Sequence, residues 1–110
     1  MANALTDVQN TFTTLDANFN LLHAACTTDT ERTDLGVQYG RAMANYQKCV
    51  NKFLSDDDPT IAALSSELQT ANDKVAKAVT QMGNMSQVID EITEAVDIGA
   101  KVAAFAFTGI

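Results

Sequence analysis

His23 and Cys26 stand three residues apart, which puts an imidazole and a thiol on one face of a helix. Both are zinc-ligand types. A closed tetrahedral site needs four ligands, and the chain holds one His and two Cys, with no second pair to complete it. His23 therefore reads as a helix-end residue. Asp90, Glu91, Glu94 and Asp97 form an acidic run. A carboxylate-bridged metal bundle requires Glu-x-x-His units on two helices, and a single His cannot supply them. The run reads as a solvated face, with Asp97 and Lys101 as an i, i+4 ion pair. Asp56, Asp57 and Asp58 lack the glycine turn and distal Glu of a calcium loop. They read instead as charges opposing the dipole of a helix that begins at Pro59, with Asp58 as its N-cap. The glycines are scattered and form no phosphate loop. No Ser/His/Asp arrangement is visible either. The sequence predicts no metal, no cofactor and no enzyme.

Composition narrows the remaining classes. The chain of 110 residues is 46% hydrophobic, enough for the core of one domain spanning residues 1–110. Its net charge is -7, which argues against binding nucleic-acid backbones or anionic lipid surfaces. Met1 to Asp7 shows neither a basic region nor an apolar run, so no secretory signal is read there. No stretch reaches the ~18 consecutive apolar residues of a membrane span. The expected compartment is cytoplasmic, with export by a route without a cleaved signal left open.

The elements that position these residues are helices. Apolar residues recur in 3-4 spacing at Leu5, Val8, Phe12, Leu15, Phe19, Leu22 and Cys26, which predicts a helix from Asn3 to Cys26. Thr28 and Glu31 have capping-box spacing and open a second helix, from Asp29 to Leu54. Its seam is Leu35, Tyr39, Ala42, Tyr46, Cys49 and Phe53. Gly36 and Gly40 lie one turn apart on a flanking face, continued by Ala44. Each glycine costs roughly 1 kcal/mol of helix propensity, so the pair predicts a close approach by another helix backbone. From Ile61 to Ala106 the rhythm runs on through Leu64, Leu68, Ala71, Val75, Ala78, Met82, Met85, Ile89, Ile92, Val96, Gly99 and Ala103.

Register gives the expected architecture. Antiparallel neighbours joined by a tight turn pair residues whose numbers sum to a near-constant value. The first hairpin pairs Phe19 with Tyr39 and Phe12 with Tyr46. A second pairs Cys49 with Leu64, Tyr46 with Leu68 and Ala42 with Ala71. The fold class is all-α, an antiparallel up-down helical bundle with coiled-coil-like packing. Its last part has two readings. Matched helix lengths and the pair Gly83-Asn84 favour a turn and a closed four-helix bundle. The unbroken heptad phase favours three helices, the last long and projecting. In this register Cys26 and Cys49 differ in level by roughly 20–25 Å at helical rise, so both are predicted reduced.

No charged side chain follows Lys101. Val102, Phe105 and Phe107 are therefore candidates for an apolar contact surface, with the Gly36/Gly40 face second. The expected function is a non-enzymatic module for protein–protein interaction or self-assembly. It acts through that C-terminal surface on a protein partner or a second copy. The alternative is a membrane-active helical protein that docks or inserts the same segment.

Overall fold

The computed structural model describes residues 3–51, 54 and 57–108, the side chains of 106–108 excepted. Four helices account for nearly all of it. They are α1 (Ala4–Ala25), α2 (Asp29–Val50), α3 (Pro59–Gln81) and α4 (Met85–Thr108). No strand is present among the described residues. The extents are 43 × 21 × 18 Å, which leaves no room for a helix projecting past the first hairpin. The closed bundle is the one that forms.

Each helix begins where a side chain satisfies the free backbone N–H groups of its first turn. Asn3 accepts from the Thr6 N–H at 3.0 Å. Asp58 accepts from Thr60 and Ile61 at 2.8 and 3.3 Å, with Pro59 as the first helical residue. Asn84 accepts from Ser86 and Gln87 at 2.8 and 3.4 Å. Thr28 accepts from the Glu31 N–H at 3.1 Å. The reciprocal half of that capping box shifts by one residue, because the Glu31 carboxylate takes the Thr27 N–H at 2.8 Å. These bonds hold Glu31 below the usual carboxylate range, the Thr27 backbone N–H contributing most.

The α3–α4 turn departs from expectation in one detail. Met82, and not Gly83, takes the left-handed conformation, at φ 46° and ψ 49°. That conformation costs a non-glycine residue roughly 1–2 kcal/mol. Met82 keeps its side chain packed against the core, an offsetting gain that a glycine there lacks. The turn spans only three residues, so the apolar rhythm carries through it.

The first hairpin follows the predicted register. Phe19 and Tyr39 rings lie 4.9 Å apart, and Phe12 and Tyr46 rings stack at 6.0 Å. The second predicted pairing is overturned. Among the described residues, α2 and α3 approach nowhere within 8 Å between Cα atoms. Instead α3 packs on α1 and α4, and α2 packs on α1 and α4. Around the bundle the order is α1, α2, α4, α3, so α2 and α3 face each other across the diagonal. The reason is connection length. Turns of three residues, at 26–28 and 82–84, hold α1 to α2 and α3 to α4 as neighbours. The eight residues 51–58 easily span the ~13 Å diagonal implied by helix spacings of 8–10 Å. Phe53, which the predicted seam used, lies outside the described residues.

This arrangement makes α1 and α3 parallel neighbours, and likewise α2 and α4. The core is Leu15, Leu22, Leu35, Leu68, Ile61, Ile92, Val75, Val96 and Val102, all essentially inaccessible to solvent. Helix α4 meets all three others, which explains its wide apolar face: Val88, Ile89, Ile92, Ala95, Val96, Val102 and Ala103 are all buried. No helix among the described residues is long and apolar enough to cross a membrane.

Candidate interaction surface

The outward face of α2 is left open by the fold. Leu35, Ala42, Asn45 and Cys49 point inward. Tyr39 and Tyr46 lean toward α1, against Phe12 and Phe19. Arg41 leans toward α4, where it donates to Asp97 at 2.8 Å and to Gln38 at 2.9 Å. The row facing solvent includes Thr33, Gly36, Val37, Gly40 and Gln47, with Ala44 half-buried among them, and Asp34 and Lys48 are exposed on its flank. Val37 is 51% exposed. A Cβ built on Gly36 or Gly40 meets nothing within 4 Å. The predicted close approach of another backbone therefore does not occur among the described residues. Neither glycine is needed for packing inside the bundle.

The C-terminal candidates separate. Val102 is fully buried between the helices and is core, which corrects its reading as a contact residue. Its neighbours α2 and α3 cover the face that looked unpartnered in the sequence. Phe105 is half-buried against the core. It lines a shallow groove with Thr60, Leu64, Lys101 and Ala104. The Phe107 side chain lies outside the described residues.

The residues that suggested metal chemistry stand apart. His23 is exposed and rests its ring on Phe19 at 5.7 Å. Cys26 turns inward and donates its thiol to the Leu22 carbonyl at 3.4 Å. Asp97 pairs with Arg41 at 2.8 Å and not with Lys101, because α2 brings a guanidinium closer than the next helical turn does. Lys74 and Glu94 approach to 3.8 Å between α3 and α4. Among the described residues no three of His, Cys, Asp and Glu are grouped to hold a metal ion.

Both cysteines are free and buried. Burial pushes the Cys49 thiol up to about 11, against the opposing charge of Lys48. Burial also raises Cys26, Glu31 adds to the rise, and Arg32 opposes it. Thiolate is the reactive form. A disulfide reagent at pH 8 is therefore expected to leave Cys49 unmodified while the protein is folded. Cys26, slightly more accessible, reacts first. The sign of the pH effect follows. The folded state holds the Cys49 proton more tightly than the unfolded chain, so this contribution to stability is full below pH 9. It is lost as pH climbs toward about 11. Denaturant melts at pH 8 and pH 10.5 test it, with the lower midpoint expected at the higher pH.

Two buried polar clusters escaped the heptad pattern. Between α1 and α3 the Asp7 carboxylate accepts from the Ser65 hydroxyl and, at 3.4 Å, from the Gln69 amide. One turn on, Thr11 donates to the Asn72 side-chain carbonyl at 2.6 Å, and the Asn72 amide returns to the Asp7 carbonyl at 3.0 Å. Between α2 and α4 the Asn45 amide donates to the Val96 carbonyl at 3.1 Å, in space left by Gly99. Each cluster joins two parallel neighbours. Each fixes the height of one hairpin against the other, the role that buried polar residues play in coiled coils. The one signal in the sequence was a polar residue one position off the apolar rhythm, such as Ser65 beside Leu64.

No protein-family model, curated protein or solved structure matches the chain.

Proposed function

We propose that this protein is a non-enzymatic helical interaction module that packs a partner helix across the outward face of α2. The observation that carries the reading is the open space around Gly36 and Gly40. Two glycines in mid-helix cost the monomer about 1 kcal/mol each in propensity. Small residues at such positions let two helix backbones approach closely, and the half-exposed Val37 between them offers an apolar contact. The end of α4 is the lesser surface, since Val102 is core and Phe105 is partly covered.

A photo-reactive residue placed at Val37 tests the reading in a native extract. Thr70, exposed on α3, serves as the control position. An adduct specific to position 37 is expected. Absence of an adduct, or the same adducts at both positions, overturns the proposal.

A further inference from the structure

We infer that the partner seated on the outward face of α2 is a second copy of this chain, packed antiparallel about a twofold axis near Gly40 and Arg41. The inference rests on the interaction-module reading above and adds the identity of the occupant. Its argument is charge. Asp34 and Lys48 are both exposed, and among the described residues neither makes an ion pair within its own chain. They stand two heptads apart on one flank of the outward face, about 21 Å along the axis and within roughly 40° in angle.

A twofold perpendicular to antiparallel helices brings equivalent flanks together and reverses their heights. Residues equidistant from the centre then meet their counterparts. With the axis at the level of Arg41, the midpoint of Asp34 and Lys48, each aspartate faces the other copy's lysine. The contact is thus closed by two identical ion pairs, one at each end, as an isologous interface requires. Gly40 lies at the crossing, where absent side chains permit the closest approach, and Val37 lies one turn away. Arg41 stands nearest the axis, where two like charges would repel. Its guanidinium is already held by Asp97 of its own chain at 2.8 Å, which offsets that repulsion. A parallel α2 pair gains none of this, because its twofold puts the equivalent flanks on opposite sides of the contact, and Asp34 and Lys48 of the two copies no longer meet. The contact is a single helix pair with its shoulders, so it belongs with small, reversible interfaces.

Sedimentation of the purified full chain from micromolar to millimolar concentration tests the inference. A monomer–dimer equilibrium is expected. Asp34→Lys and Lys48→Asp are each expected to weaken it about tenfold or more, since symmetry counts each reversal twice. The double variant restores the pair in swapped sense and recovers dimerisation to within a few-fold. Gly40→Leu is expected to abolish it while keeping helicity, as the position is open in the monomer. A strictly monomeric protein, or a dimer indifferent to both charge reversals and to Gly40→Leu, overturns the inference. If the protein is monomeric and the photo-adduct at position 37 contains a different protein, the self-pairing falls and the interaction module stands. If it is monomeric and gives no adduct, both fall.

Discussion

Gly99→Val is expected to lower the melting temperature by about 10–20 °C, from a loss of about 2–4 kcal/mol in a domain of this size. A Cβ at this buried position sits 3.2 Å from the Asn45 amide nitrogen. That amide is committed to the Val96 carbonyl at 3.1 Å. Alanine asks Asn45 to give by a few tenths of an ångström and gains about 1 kcal/mol of helix propensity, so Gly99→Ala should be close to neutral. Valine adds two methyl groups in the same space and evicts the amide. A buried amide without a partner then costs about 1–3 kcal/mol beyond the steric strain. Asn45→Ala in the Gly99→Val background should recover much of the loss, since the evicted group is gone. Thermal melts of the parent, Gly99→Val, Asn45→Ala and the double variant form a double-mutant cycle. An additive result would show that Gly99 and Asn45 are not coupled.

Ser65→Val should cost about 1–3 kcal/mol, because the Asp7 carboxylate stays buried while its hydroxyl donor is removed. The valine matches the apolar surroundings of α3, so packing alone predicts little change. Adding Asp7→Val removes the stranded acceptor and should return part of that stability. The recovery is partial, since Asp7 also opposes the positive end of the α1 dipole from its first turn. Urea unfolding measures both. A Ser65→Val protein as stable as the parent would mean that the hydroxyl contributes nothing to holding the carboxylate.

The fold class was legible because its signals are local. Apolar spacing marked every segment as helical, Thr28 and Asp58 marked two helix starts, and Gly83-Asn84 offered the break that makes the last segment two helices and not one. Aromatic residues opposite one another gave the α1–α2 register, since a three-residue turn leaves that hairpin one way to pair. The neighbour relations of α3 were not legible. Heptads are self-similar, so α3 matched α2 on paper as well as it matches α1 and α4 in space. Only the reach of residues 51–58 separates those choices, and reach sets a limit without naming a partner. The buried polar residues were hidden for a related reason. Asp7, Thr11, Ser65 and Asn45 lie off the apolar seams, and nothing in the spacing marks them as buried until the parallel neighbours are known. Of the candidate surface, Gly36 and Gly40 were legible from their cost to the helix. Val102 was misassigned because an apolar run looks the same whether the chain covers it or a partner does.

The diagonal crossing also orders the charges of the molecule. At one end of the bundle the N-termini of α1 and α3 lie side by side, with Asp7 and Asp58 among them, while the C-termini of α2 and α4 fill the other half, with Lys48 in the last turn of α2. At the opposite end the halves are exchanged, with Asp29 and Glu31 at the start of α2. Each helix terminus carries roughly half an elementary charge, positive at the N-terminus and negative at the C-terminus. The backbone of the bundle is therefore an electric quadrupole: it has little net moment along its length, but each end cap is split into a positive and a negative half. The terminal charges alternate in sign across each end and fall off within a turn of the helix, so two copies sense each other's polarity only when their surfaces are nearly touching.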